Sequence, residues 1–209
     1  MSLPTGVKTV TLDGEERLAT EGEAVYGEPT VDGWRVWGGG RSKLAAMLEK
    51  DLSIDFGPET NVLYLGAGAG TTVSHLADVC NRVYAIEFAP RPGKRLLSVA
   101  RDREAVIPLL KDARRPESYA HVVESGCDLL VQDVATPGQA QIASSHEAFL
   151  HEGATVAVSI KAASEDVTAD PSSVFEEALS DLDDTYTLDE HVRLEPYHED
   201  HLAVVGHLE

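Results

Sequence analysis

Asn61-Val-Leu-Tyr-Leu-Gly-Ala-Gly-Ala-Gly-Thr-Thr72 is an apolar run that stops at three alternating glycines and continues into Val73-Ser-His-Leu-Ala-Asp78. The pattern predicts a strand, a tight turn and a helix over 71–79. Gly66, Gly68 and Gly70 lack the Cβ atoms that would hold a ligand away from the backbone, and a helix start offers N–H groups without partners in the chain. A polar cofactor fits such a turn. The dinucleotide fingerprint G-x-G-x-x-G requires a glycine at position 71, which is Thr71 here. The G-x-G-x-G spacing suits S-adenosylmethionine better than NAD.

A second feature supports a nucleoside site. Arg82-Val-Tyr-Ala-Ile-Glu87 is β-rich and ends in a carboxylate 17 residues after Gly70. In doubly wound folds an acid at the end of the second strand accepts hydrogen bonds from the cofactor ribose. The plainer alternative is a strand-turn-helix that only packs, with Glu87 a solvated strand end.

Working outward, residues 61–65, 83–87, 105–110, 127–132, 154–160, 186–194 and 202–208 read as strands, and 71–79, 92–101, 138–150 and 172–182 as helices. This alternation predicts an α/β fold with a mainly parallel seven-stranded sheet covered on both faces. The loop Glu195–His201 is too short for a parallel crossover, so the last two strands should be antiparallel. That order fits a Rossmann-like class I methyltransferase fold. Upstream, Lys8–Leu12, Glu23–Tyr26 and Trp34–Trp37 read as short strands of a small N-terminal β appendage. Ser42 is a plausible N-cap for a helix over 43–50. Residues 1–40 are therefore expected to form a hairpin subdomain and 41–209 the main domain.

Composition bounds the rest. With 209 residues and 43% hydrophobic content the chain can bury one sizeable core. No apolar run approaches membrane-spanning length and the N-terminus lacks a signal pattern, so a cytoplasmic protein is expected. Cys80 and Cys127 are widely spaced and expected in the core. His191, His198 and His201 have no matching cysteine nearby, and no metal is expected.

The net charge is −19, and only six of 17 basic residues are lysine. Such a surface resembles proteins of salt-loving organisms; an acidic protein that binds basic partners is the alternative. Residues 91–115 run against the trend, with eight basic and three acidic side chains, whereas 116–209 carry two basic and 20 acidic ones. Arg91, Lys94, Arg95, Arg101, Arg103, Lys111, Arg114 and Arg115 could form a phosphate-facing patch, or a helix face paired with acids such as Asp102 and Glu104.

Chemistry in open sheets gathers beyond the carboxyl ends of the strands. Asp112, Asp133 and Lys161 stand at three such ends. Capping or turn formation would explain the aspartates. Lys161 is harder to dismiss, because a charge closing an apolar strand is costly unless used or paired.

Six ordered blocks now carry a family resemblance: Trp34–Trp37 with Arg41–Ala45, Val62–His75, Val83–Phe88, Lys111–Arg114, Gln132–Ala135, and Glu195–Tyr197 with Asp200-His201. They cover nearly the whole chain, which resembles the fibrillarin family, specifically archaeal members without a glycine-arginine-rich tail. The resemblance implies S-adenosylmethionine-dependent 2′-O-methylation of ribose in rRNA and tRNA, guided by box C/D RNA. The implied partners are a Nop-family scaffold protein and a kink-turn-binding ribosomal-type protein. It places the family's catalytic set on Lys43, Asp133, Lys161 and His201. Cofactor contacts fall on the glycine loop, Thr71, Thr72, Glu87, Phe88, Asp112, Ala113, Asp133, Val134, Ala135 and Thr136. Three departures stand out. Gly38-Gly-Gly40 replaces bulkier residues, which predicts a more mobile approach to Lys43. Thr136 stands where relatives carry glutamine, and Gly68 where they often carry alanine. A small-molecule or protein-carboxyl methyltransferase, or a non-catalytic ribonucleoprotein subunit, are the competing readings.

Overall fold

The structure, a computed structural model, describes residues 3–124 and 126–209; Met1 and Ser2 of the expected 1–40 subdomain lie outside them. The sheet opens at β5 (Asn61–Leu65), whose alternate side chains are buried on opposite faces: Val62 and Tyr64 join one core cluster, Leu63 and Leu65 the other. Burial on both faces is what a parallel strand requires. On one side β5 pairs in parallel with β6 (Arg82–Ile86), which pairs with β7 (Val106–Leu109). On the other side it pairs with β8 (Cys127–Gln132), followed by β9 (Leu150–Lys161). Then β11 (His201–His207) lies antiparallel to β9, and β10 (Thr187–Arg193) antiparallel to β11. The expected seven strands and antiparallel ending are both present, in the order β10-β11-β9-β8-β5-β6-β7.

Helices close both faces. One cluster joins α1 (Lys43–Glu49), α2 (Thr71–Ala77) and α3 (Pro90–Asp102) to the sheet; the other joins α4 (Gln139–Ser144) and α6 (Pro171–Asp183). The Ser42 hydroxyl accepts a hydrogen bond from Ala45 N at 3.2 Å and so caps α1 as expected. Asp170 caps α6 through Ser172 N, with Pro171 in the first turn. A single-turn helix, α5 (Ala162–Glu165), follows β9 directly. Cys80 and Cys127 are buried and free. No helix of the described residues is long and apolar enough to cross a membrane.

The N-terminal sheet comprises β1 (Val7–Leu12), β2 (Glu15–Glu21), β3 (Thr30–Val31) and β4 (Trp34–Val36), ordered β1-β2-β4-β3. The sequence reading missed β2 and placed a strand at Glu23–Tyr26 instead. That segment is a loop, because the Glu28 carboxylate draws the Val25 and Tyr26 N–H groups onto itself at 2.8 Å and removes them from any ladder. The predicted helix 138–150 also divides: α4 ends at Ser144, a 3₁₀ turn spans Glu147–Phe149, and Leu150 already pairs with Cys127.

This sheet is bound to α2 through buried charge. Arg35 of β4 is fully buried, and its Nε and Nη2 each lie 2.7 Å from Asp78 Oδ2, just past α2. Asp78 Oδ1 accepts from Arg103 Nε at 2.9 Å, and Ser74 Oγ meets both terminal nitrogens of Arg35 at 3.1 Å. Trp37 stacks on His75 with ring centroids 5.0 Å apart, and burial pushes the His75 imidazole down to about 2, so it is neutral.

Candidate functional site

Strand order reverses direction at β5, since the chain moves first toward β6 and β7 and then back across to β8. Ligands bind at such switch points, beyond the carboxyl ends of the strands. A cavity of about 490 Å³ opens there, within the range of about 300–1,000 Å³ usual for small-molecule sites. Four strand ends line it: Gly66 and Gly68 after β5; Glu87, Phe88 and Ala89 after β6; Lys111 to Arg114 after β7; and Asp133 to Thr136 after β8. Ile86 and Ile142 add apolar wall. A larger cavity of about 590 Å³ lies between the Glu23–Tyr26 loop and α3. Asp78 and Arg103 in its lining are paired with each other, and it lies away from the carboxyl ends of the strands, so the strand-end cavity is the better site for chemistry.

The sequence-predicted cofactor residues divide between wall and support. Glu87 Oε2 accepts from Gly68 N at 2.7 Å and Oε1 from Ala89 N at 2.6 Å, so this carboxylate shapes the glycine turn as well as facing the cavity. Asp112 is held by Arg114, whose Nη2 and Nε reach the two carboxylate oxygens at 2.7 and 3.0 Å. Those hydrogen bonds keep the Asp112 carboxyl below its ordinary range. The Arg114 guanidinium also lies 6.0 Å from the exposed Phe88 ring. Gly70, Thr71 and Thr72 are not among the lining residues. They begin α2, and the Thr72 hydroxyl donates to Ser42 Oγ at 2.9 Å, tying α2 to the cap of the helix that carries Lys43.

Gly66 shows why one of these glycines cannot be replaced. Its φ is +80°, and an added Cβ would sit 2.7 Å from the Asp133 carbonyl carbon and closer still to its oxygen. Gly66→Ala should cost about 1–3 kcal/mol in backbone strain alone. Because relief requires moving Asp133, S-adenosylmethionine affinity should fall at least tenfold, about 1.4 kcal/mol. Calorimetric titration of folded variant checks this, and wild-type affinity would refute it.

The four candidate catalytic residues converge in two pairs. Lys43 Nζ lies 2.9 Å from Asp133 Oδ1 and 3.1 Å from Oδ2, with side chains 22% and 26% exposed. Burial pushes the Asp133 carboxyl up from its ordinary value, and Lys43 pulls it back. Lys161 ends β9 directly opposite His201, the first residue of β11, in antiparallel register. Burial lowers the His201 imidazole, and its Nδ1 lies 2.6 Å from the Glu199 carbonyl oxygen, which can only accept. Neutral His201 therefore carries its proton on Nδ1 and leaves the Nε2 lone pair open. His198 stands beside it, ring centroids 5.6 Å apart, with Nε2 donating to Gly39 O at 2.8 Å.

Two expectations change. Gly39 is buried in a 3₁₀ turn, Gly39–Arg41, and an added Cβ would lie 3.1 Å from Ala46 Cα of α1; this one glycine of the run lets the chain pack tightly on the helix of Lys43, while Gly38 and Gly40 face open space. The basic window is also not one uniform patch. Arg103 and Arg114 are committed to Asp78 and Asp112, not to Asp102 or Glu104, while Arg91, Lys94, Arg95 and Arg101 remain exposed on α3. Arg114, Gln139 and Glu165 escaped the sequence reading as site residues. For Arg114 the signals were its place in the basic window and in the Lys111–Arg114 block, neither of which showed that it would hold Asp112.

Comparison with known proteins agrees with this geometry. The family model described as Fibrillarin matches residues 5–209. A "Fibrillarin-like rRNA/tRNA 2'-O-methyltransferase" of Halobacterium salinarum is 56% identical over 207 residues, covering 99% of each chain. A solved fibrillarin from a fibrillarin/Nop5p complex superposes with a TM-score of 0.91 at 38% identity, covering 98% of this chain and 99% of that one. Aeropyrum pernix fibrillarin, solved with natively bound S-adenosyl-L-methionine, gives 0.85 at 41% identity, covering 96% and 94%. With the fold, the strand-end cavity and a match along almost its whole length in agreement, the chain belongs to the fibrillarin family.

Proposed function

We propose that this protein uses S-adenosylmethionine to methylate the ribose 2′-hydroxyl of rRNA and tRNA in the cytoplasm, as part of their processing. A box C/D guide RNA chooses the sites, within a ribonucleoprotein that includes a Nop-family scaffold and a kink-turn-binding ribosomal-type protein. The observation that carries the reading is the position of Asp133, which lines the strand-end cavity and is ion-paired to Lys43, with Lys161 and His201 on the next two strands.

The cavity suits the cofactor in its own terms: carboxylates at the ends of β6 and β7 for ribose and base, apolar wall from Ile86 and Ile142, and the glycine turn at β5. Glu87, Phe88, Asp112, Ala113 and Asp133 to Thr136 would hold it, with Gly70, Thr71 and Thr72 shaping the turn. When bound it supplies an activated methyl on a sulfonium, so the chain needs no Lewis acid. What remains for the residues is to align the ribose oxygen and take its proton. Alignment is worth about 7–11 kcal/mol and general-base catalysis about 10²–10⁴ in rate. Lys161, as its neutral amine, accepts the proton and becomes the ammonium, Asp133 orients the attacking group, Lys43 holds Asp133, and the open Nε2 of His201 positions the ribose or relays the proton.

The surface explains the need for an assembly. A net charge of −19 repels RNA at long range, and the exposed cations of α3 are few. The test is reconstitution with guide RNA and both protein partners, reading labelled methyl in RNA with and without the guide. Ribose methylation that requires the guide is expected. Efficient guide-free methylation by the purified chain, or label on protein carboxyls, would overturn the proposal.

A further inference from the structure

Lys161 stands past the end of its sheet neighbour. The β8–β9 ladder closes with Gln132 against Val158, and at Asp133 the chain leaves the sheet toward the cavity. Gln139, fully buried at the start of α4, takes the place of the missing strand partner. Its Oε1 accepts from Lys161 N at 2.9 Å, and its Nε2 donates to Lys161 O at 3.1 Å. One side-chain amide thus reproduces both halves of a backbone pairing.

Gln139 is itself held from two sides. Glu165 Oε1 accepts from Gln139 Nε2 and from Gln139 N, both at 2.7 Å, and Oε2 accepts from Gly138 N at 2.8 Å. The buried Gln132 side chain donates to Gln139 O at 2.7 Å, fastening the loop back onto β8. On the opposite side of Lys161, Ala162 N donates to Asp200 O at 3.1 Å. The segment 133–139 therefore lines the cavity at one end and grips the Lys161 backbone at the other.

We propose that Gln139 is a positioning residue for Lys161, with Glu165 fixing Gln139 in turn. The inference rests on the reading of Lys161 as the proton acceptor. It explains how a lysine at a strand end, on a long flexible stem, is delivered to one place. The backbone beneath it is pinned on both sides, so only the side chain moves. Fixing a catalytic group matters because a displacement of about 1 Å can cost about 10²-fold in rate.

The experiment uses the guide-directed assembly and two substitutions. Gln139→Met keeps bulk but neither donates nor accepts these bonds, and Glu165→Gln loosens Gln139 without touching Lys161. Single-turnover methyl transfer should fall by about 10- to 100-fold in Gln139→Met, and less in Glu165→Gln, while S-adenosylmethionine affinity stays within about twofold, the kcat-without-KM pattern of lost positioning. Amide hydrogen exchange should accelerate at Lys161. An unchanged rate in folded Gln139→Met, or a rate loss matched by lost cofactor affinity, would overturn the proposal. If Gln139→Met does not fold, the same two outcomes in Glu165→Gln decide it. Lys161→Ala run alongside separates the two ideas. Full turnover there removes the catalytic reading of Lys161, whereas lost turnover there with intact turnover in Gln139→Met removes only the role of Gln139.

Discussion

Lys161→Ala is expected to lower methyl transfer by at least about 10²-fold, the minimum usually supplied by a positioned general base. Cofactor binding should remain measurable, because Lys161 is not among the residues lining the strand-end cavity. The separation follows from the fold. Lys161 ends β9, opposite His201, while the cavity is lined from the ends of β5, β6, β7 and β8. His201 with its open Nε2, and the Lys43–Asp133 pair, both persist in the variant, so alignment survives and only the proton's destination is lost. Single-turnover rates in the assembled particle, set against calorimetric S-adenosylmethionine titration of the chain, resolve the two. Full turnover, or a loss in rate that merely follows lost affinity, would refute this role for Lys161.

Asp78→Ala should be the most destabilising single change at the junction of the two sheets. It removes the carboxylate that contacts both Arg35 and Arg103, and leaves Arg35 fully buried with Ser74 Oγ and a Glu28 oxygen 3.8 Å away. Stranding one partner of a buried pair costs about 3–5 kcal/mol. For a chain of this size each kcal/mol lowers Tm by about 2–4 °C, so a fall on the order of 6–20 °C is expected by calorimetry. The cost lies in the stranded charge, not in a large net benefit of the pair. Arg35→Met together with Asp78→Ala should therefore recover part of the loss. A fall below about 2 °C, which is under 1 kcal/mol on this scale, would mean that Arg35 finds another partner.

Much of the fold is legible because local pattern and topology point the same way. Val62-Leu-Tyr-Leu65 and Val83-Tyr-Ala-Ile86 are continuous apolar runs, as strands buried on both faces must be, and the short loop before His201 leaves no room for a crossover. The misread elements lacked that agreement. In β2, Glu15-Glu-Arg-Leu-Ala-Thr-Glu21 is charged at both ends and becomes a strand only through pairing with β1 and β4. Glu23–Tyr26 has strand composition but yields its N–H groups to a carboxylate further along the chain. At the site, the residues that face the cavity stand at predictable strand ends. Their supports do not: Arg35 sits between two tryptophan-bearing positions where nothing local announces a buried charge. Gln139 and Glu165 act across 22 and 26 residues through contacts that no periodicity encodes.

The ion pairs described above also settle how this molecule fares in brine. At an ionic strength of about 1 M the Debye length shrinks to about 3 Å, and the large negative charge of the surface becomes inaudible to an approaching nucleic acid. The pairs that join the two sheets work at 2.7–2.9 Å and largely out of reach of mobile ions: Arg35 with Asp78 and Arg103 with Asp78. Salt therefore mutes the charges that would oppose RNA and spares those that hold the two sheets together, so rising salt should not loosen their junction.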